Sequence, residues 1–527
     1  MPLSSIYSVK RLIMEEPDAG QSTTIKDVKQ LALWSSLCSL SYVFWICGGM
    51  EMIERLAYYG ARMVSGLYAT DSAANGGLGI TETELGTIFL VWAMVQTWVP
   101  VVTGGLSDRL GYKETIFAST VIKIIGYLCM ALFPTYWGFM SGAIILAFGT
   151  GIFKPGIQGT IVKSTNRSNS SMAWGVFYQT VNIGGWIGPL IAVRLQILAW
   201  DQVFYACALI ISVNFLFLLT YKEPDKQVRL ERQAKIKAGE IKEKPLWQES
   251  LNELKNPILI WYIIIFSGFW FMLMFFWDVA PLYFRDWVDT APLVSSWFGD
   301  NGTQNETLKF LLGLSEDGRE ITPIGLISYN GLLIMTVCFI VAGLSAKLKA
   351  MHSLAIGTML TSSALLILGM FNLAWLIVIG IVTFSIGEML SSPKSSEFLG
   401  NIAPARKKAM YLGFSQMPIG IGWTLEGFIG PYLYGQWASK EQISRIVLKD
   451  FGLNNDQISA IPGGEAFGKL IELSGKSASF LTTELYSGNN IGLVWYFMAT
   501  VGIISAVSMV FYGKWIYRIA NTQVIED

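Results

Sequence analysis

The chain has 527 residues, of which 52% are hydrophobic and only 14% charged, a balance too apolar for an ordinary soluble domain of this length. Lysine plus arginine and aspartate plus glutamate number 38 each, so no global charge excess points to a nucleic acid or another polyanion. One histidine, His352, and five cysteines without a CxxC pair argue against a Cys/His metal cluster and against a histidine-based catalytic triad.

In chain order, residues 1–36 are polar, carry Lys10, Arg11, Lys26 and Lys29, and lack the apolar core and cleavage site of a signal peptide. They read as a cytoplasmic leader. A bilayer core needs roughly 20 apolar residues per helix, and such spans are predicted at Leu37 to Tyr68, Leu85 to Leu106, Ile116 to Phe133, Trp137 to Val162, Trp174 to Leu198 and Val203 to Tyr221. These form an N-terminal bundle over 37–221. The charged stretch 222–256 reads as a cytoplasmic linker containing a solvated amphipathic helix. Further spans are predicted at Ile258 to Tyr283, Ile324 to Ala346, Leu354 to Phe371, Ala374 to Leu399, Ala409 to Tyr434 and Ile491 to Ile519. They make a second bundle over 257–519, followed by a tail, 520–527. The expected fold is therefore an all-α polytopic membrane protein with twelve transmembrane helices in two six-helix bundles.

Basic residues in short loops mark the cytoplasmic side. Arg109/Lys113, Lys163/Arg167, Lys347/Lys349, Arg406 to Lys408 and Lys514/Arg518 all fall there if both termini are cytoplasmic, which places the chain in a plasma or bacterial inner membrane. Two segments on the opposite side, 285–323 and 435–490, are longer than a turn needs and read as caps over the outer mouth.

The loop Gly104-Gly-Leu-Ser-Asp108-Arg109-Leu-Gly-Tyr-Lys113 joins the second and third spans and resembles the loop signature of the major facilitator superfamily. Asp108 and Arg109 would form a charge lock that opens with the inner gate. Within the first span, Glu51-Met-Ile-Glu54-Arg55-Leu-Ala-Tyr58-Tyr59-Gly-Ala-Arg62 interrupts an apolar stretch, although each ionised group at mid-bilayer costs roughly 2.5 to 3.5 kcal/mol on insertion scales. At 100° per residue these polar groups share an arc of roughly 140°, so they can face one interior cavity. The alternative is a permanent salt bridge that staples helices.

ExxER followed by an aromatic pair, Gly and Arg is similar to the proton-dependent oligopeptide transporter family. The resemblance extends to Phe148-Gly-Thr-Gly-Ile-Phe-Lys154-Pro-Gly in the fourth span, Phe177-Tyr178-Gln-Thr-Val-Asn182-Ile-Gly184 in the fifth and Gly387-Glu388-Met-Leu-Ser-Ser392-Pro in the tenth. It implies a proton-coupled symporter of small zwitterions, most readily di- and tripeptides. Glu51, Glu54, Arg55 and Lys154 would serve proton coupling, while Tyr59, Arg62, Lys154, Tyr178, Asn182, Trp270, Asn330, Glu388 and Ser392 would bind substrate, with Glu388 receiving its amino terminus. Snorkelling to the interface is the alternative for Lys154.

Two departures stand out. The seventh span has Met274 where the family carries a carboxylate after Trp270, leaving Asp278 one turn further along as the coupling acid. The eleventh reads Leu412-Gly-Phe-Ser415-Gln416, with Trp423 and an intramembrane Glu426 coming later. These changes keep a non-peptide substrate open on the same scaffold: an anion, an amino-acid conjugate or a modified sugar. Lys123 in the third span matches no family role and is expected to snorkel. No cofactor beyond the coupling proton is expected, and the partners would be a small-molecule or peptide substrate and the bilayer, with the functional unit a monomer and no nucleic acid involved.

Overall fold

The computed structural model describes residues 33–103, 107, 110–165, 170–223, 226–238, 254–345, 348–402 and 414–526. Its long helices are α1 Tyr42–Thr70, α2 Glu82–Thr103, α3 Tyr112–Leu132, α4 Tyr136–Ser164, α5 Ser170–Gln196, α6 Trp200–Ser212 with its continuation Asn214–Thr220, α7 Pro257–Asp278, α8 Pro323–Ser345, α9 Ala350–Met370, α10 Ala374–Ile402, α11 Gln416–Trp437 and α12 Leu493–Glu526. Among the described residues only two isolated bridges interrupt the all-helical pattern. Among the described residues, eight helices are long and apolar enough to cross a membrane. The 29-residue α1 is long enough, but its own acids and bases lower its apolar character.

Local chemistry sets the helix ends. The Ser41 hydroxyl accepts from the Phe44 amide at 3.2 Å and starts α1, separating it from the short helix Leu33–Cys38, where the apolar pattern alone suggests one continuous span. Thr135 and Asn256 cap α4 and α7 in the same way, which satisfies amides that lipid cannot. The apolar run of the seventh span continues to Tyr283, but α7 stops at Asp278 and a separate helix, Ala280–Trp287, carries Pro281 in its first turn. Proline removes an amide donor there and favours a helix start over a helix interior.

Missing side chains let the helices approach closely. A Cβ on Gly184 of α5 would lie 2.6 Å from the Arg55 Cβ of α1, and one on Gly126 of α3 would lie 2.8 Å from the Leu146 amide of α4. The glycine that closes the fifth-span motif therefore lays α5 directly along the charged stretch of α1. Between the bundles, α2 packs on α11 and α5 on α8, where the Gln179 amide donates to the Met335 carbonyl.

At one end the bundles are also joined by α1 and α7, with Gly66 facing the Asp278 carbonyl. This end is covered. Residues 435–490 fold into the helices Lys440–Val447, Asn455–Ser459, Ala466–Ser474 and Ala478–Gly488, and they lie over the α1–α2 connection. Gly463 abuts Gly79 there, and Ser439 donates to Glu82. Arg445 organises the cap by donating to the Ile458 and Ile461 carbonyls at 2.8 and 2.9 Å and pairing with Glu441 at 2.8 Å. The other Glu441 oxygen accepts from the Ala466 amide at 2.9 Å; burial pushes this carboxyl above the usual glutamate range, partly offset by Arg445.

Candidate functional site

Polar residues inside α1 divide into groups along its axis. In the first, Arg55 Nε lies 2.8 Å from Glu51 Oε1 and 3.0 Å from Glu54 Oε2, while Lys123 Nζ on α3 reaches Glu54 Oε1 at 3.3 Å. Two acids and two bases thus balance to zero net charge, the condition under which ions persist in a dry interior. The Lys123 ammonium also sits 3.9 Å over the Phe153 ring. Its stem passes Gly149, where a Cβ would come within 2.7 Å of Lys123 Cγ.

Lys123 corrects the expectation from sequence. It does not snorkel: both Lys123 and Glu54 are 0% exposed. The signal was available, because Lys123 stands near the middle of α3, roughly 15 Å from either helix end at 1.5 Å per residue, beyond what a lysine stem spans. Lys154 is placed differently from Lys123. Half-buried on α4, it has no carboxylate within ion-pairing distance among the described residues, although Glu51 and Glu54 act on it electrostatically.

One turn further along α1, Tyr59 faces the second bundle. Its ring lies 6.3 Å from that of Trp277 on α7, and it is within electrostatic reach of Arg55 on one side and Glu388 on the other. Asn330 of α8 donates to Glu388 at 3.0 Å and to Ser385 at 3.1 Å, so Asn330 and Glu388 are brought together. No ion pair holds Glu388 among the described residues. Tyr178 lies within reach of the same carboxylate, whereas the Asn182 amide turns back to donate to the Tyr178 carbonyl at 2.8 Å. Ser392 and the Trp270 indole N–H have no hydrogen-bond partner among the described residues. Trp277, whose ring meets that of Tyr59, was hidden among the six aromatics of 269–277.

The third group lies toward the covered end. Arg62 Nη2 contacts Asp278 Oδ1 at 2.5 Å, joining α1 to α7, and the guanidinium stacks 3.9 Å over Phe89 and 5.0 Å over Trp92 of α2. The resemblance assigned Arg62 to substrate; in this conformation it belongs to Asp278. Trp423 Nε1 donates to Asp278 Oδ2 at 3.2 Å, and Glu426 lies beside the same carboxylate. Asp108 and Arg109 fall outside the described residues.

Residues 55–431 match the family model described as Major Facilitator Superfamily, so the chain belongs to the Major Facilitator Superfamily: it is a multi-pass secondary transporter, not an enzyme. Relatives include the uncharacterized transporter YclF of Bacillus subtilis, 27% identical over 172 residues, or 32% of this chain and 34% of the relative. A di-/tripeptide transporter of Lactococcus lactis is 31% identical over 149 residues, 27% of this chain and 29% of the relative. The chain thus matches these relatives over only about a third of their length. The multidrug resistance protein MdtH of Edwardsiella ictaluri is 20% identical over 68% of this chain and 79% of the relative.

Among solved structures, the peptide transporter POT in complex with sulfate superposes with a TM-score of 0.62 at 13% identity, covering 93% of this chain and 99% of that one. A POT family transporter in complex with 5-aminolevulinic acid gives 0.60 at 16% identity, covering 89% and 96%. These identities carry the fold alone.

Proposed function

We propose that this transporter is a proton-coupled symporter that imports small zwitterionic solutes, di- and tripeptides or peptide-like compounds, by alternating access between its bundles. The observation that carries the reading is a pair of opposite charges left without ionic partners among the described residues: Lys154 on α4 and Glu388 on α10. A charge partly withdrawn from water gains from a counter-charge, and a molecule with a carboxylate at one end and an ammonium at the other supplies both. Tyr59 and Tyr178, near Glu388, add hydroxyls suited to a peptide backbone. Coupling is assigned to Glu54, because protonating it frees Lys123 and Arg55 together and so changes which charge pairing, and which bundle arrangement, is favoured. Both termini are assigned to the cytoplasm and the 435–490 cap to the outside of a cell membrane.

One observation favours a second reading, a non-peptide zwitterion or amino-acid conjugate: the centre is narrowed by the Tyr59–Trp277 ring contact, which suits a smaller molecule. Competition in proteoliposomes between a dipeptide library and single amino-acid conjugates decides between them. On the peptide reading Glu388→Ala weakens dipeptide affinity by roughly 10- to 100-fold, the worth of one hydrogen bond to a charged group, with little change in maximal rate. Unchanged affinity for every ligand would move the amino-terminal site elsewhere.

A further inference from the structure

Glu426 is a carboxyl for which the charge-balanced layers leave no counter-ion. It is 0% exposed on α11, and among the described residues neither of its oxygens receives a hydrogen bond. The groups acting on it are Asp278 of α7, with which it is in side-chain contact, and Arg62 of α1. Asp278 already holds a donor on each oxygen and has lone pairs to spare: Oδ1 takes Arg62 and Oδ2 takes the Trp423 indole. A carboxylate with donors on both oxygens is the ionised partner, and it neutralises Arg62 by itself. A second anion at the same place would be buried without a counter-charge, at a cost of several kcal/mol. The remaining arrangement is an acid whose O–H donates to Asp278. Space for it is made by Gly430, one turn on, whose missing Cβ would collide with Glu426 Oε1.

We propose that Glu426 is a proton-holding site of this transporter, carrying an O–H hydrogen-bonded to Asp278 while the covered end is closed. Glu426 and Asp278 ride on the second bundle and Arg62 on the first. Separating α1 from α7 therefore leaves two carboxyls sharing one proton without their cation, which ties opening of this end to uptake of a further proton. Only this coupling step rests on the proton-coupled reading above; the held proton does not.

The test is infrared spectroscopy of the full-length protein reconstituted in liposomes at neutral pH, with no substrate added. Wild type is expected to show a protonated-carboxyl C=O band that loses one carboxyl's intensity in Glu426→Gln. Asp278→Asn is expected to lose the same intensity, because Glu426 then ionises against Arg62, and it serves where Glu426→Gln does not fold. A band unchanged in both variants overturns the proposal. So does a band that disappears when sodium replaces potassium at constant ionic strength, since the pair would then be a metal-cation site. The proton-coupled reading fails separately, if wild-type liposomes do not accumulate dialanine under an imposed pH gradient, whatever the infrared band does.

Discussion

Lys123→Ala is expected to destabilise the folded protein by about 3–5 kcal/mol, the usual cost of leaving one member of a buried ion pair without its partner. Glu54 and Lys123 are both fully buried and 3.3 Å apart, so removal of the ammonium leaves Glu54 to share Arg55 with Glu51. The lost contact with the Phe153 ring and the space opened beside Gly149 add to the loss. Thermal unfolding of the purified variant, under conditions where wild type is reversible, reads the effect. A snorkelling lysine would give a change within about 0.5 kcal/mol, as surface substitutions do, and that result would detach α3 from the site.

Glu54→Gln is expected to abolish accumulation driven by a pH gradient while substrate exchange continues. A one-to-one symporter at equilibrium concentrates its substrate about tenfold for each pH unit imposed, since one unit is 1.36 kcal/mol of proton free energy. The variant should fall to simple equilibration, a ratio of about one, because its amide keeps the shape of Glu54 and cannot carry the proton. Exchange needs only the binding residues and the rocking of one bundle on the other, and those are untouched. Wild-type accumulation in this variant would remove Glu54 from the coupling step.

How much of this was legible in the sequence differs from feature to feature. The apolar spans and the loop motif carry the fold, because hydrocarbon forces nearly all backbone polarity into helices. Glu51, Glu54 and Arg55 were legible as partners because they lie on one face of one helix, and the i,i+4 contact between Glu51 and Arg55 is local. Contacts between distant helices were not. The partner of Glu54 is 69 residues away, and that of Arg62 is 216 residues away. One-dimensional periodicity says that such residues face inward, but not which helix meets them. Glu426 stood out as an acid within an apolar stretch, yet the role proposed for it depends on Asp278 being held by Arg62 and Trp423, a fact of three dimensions. The long segment 435–490 gave no hint of its fold because its helices are only 5 to 11 residues long, too short for an apolar period to mark them.

The central claim is that Glu54 and Lys123 are exchangeable partners in a gating cycle instead of a permanent rivet. It is tested most directly by the accumulation ratio of a dipeptide per imposed pH unit in liposomes carrying Glu54→Gln together with Lys123→Met. Neutralising both members removes the buried charges as a set, which is often neutral or stabilising, so stability should return to near the wild-type value. The account predicts a stable protein that exchanges substrate with an accumulation ratio of about one. A stable double variant that still concentrates substrate about tenfold per pH unit would contradict it.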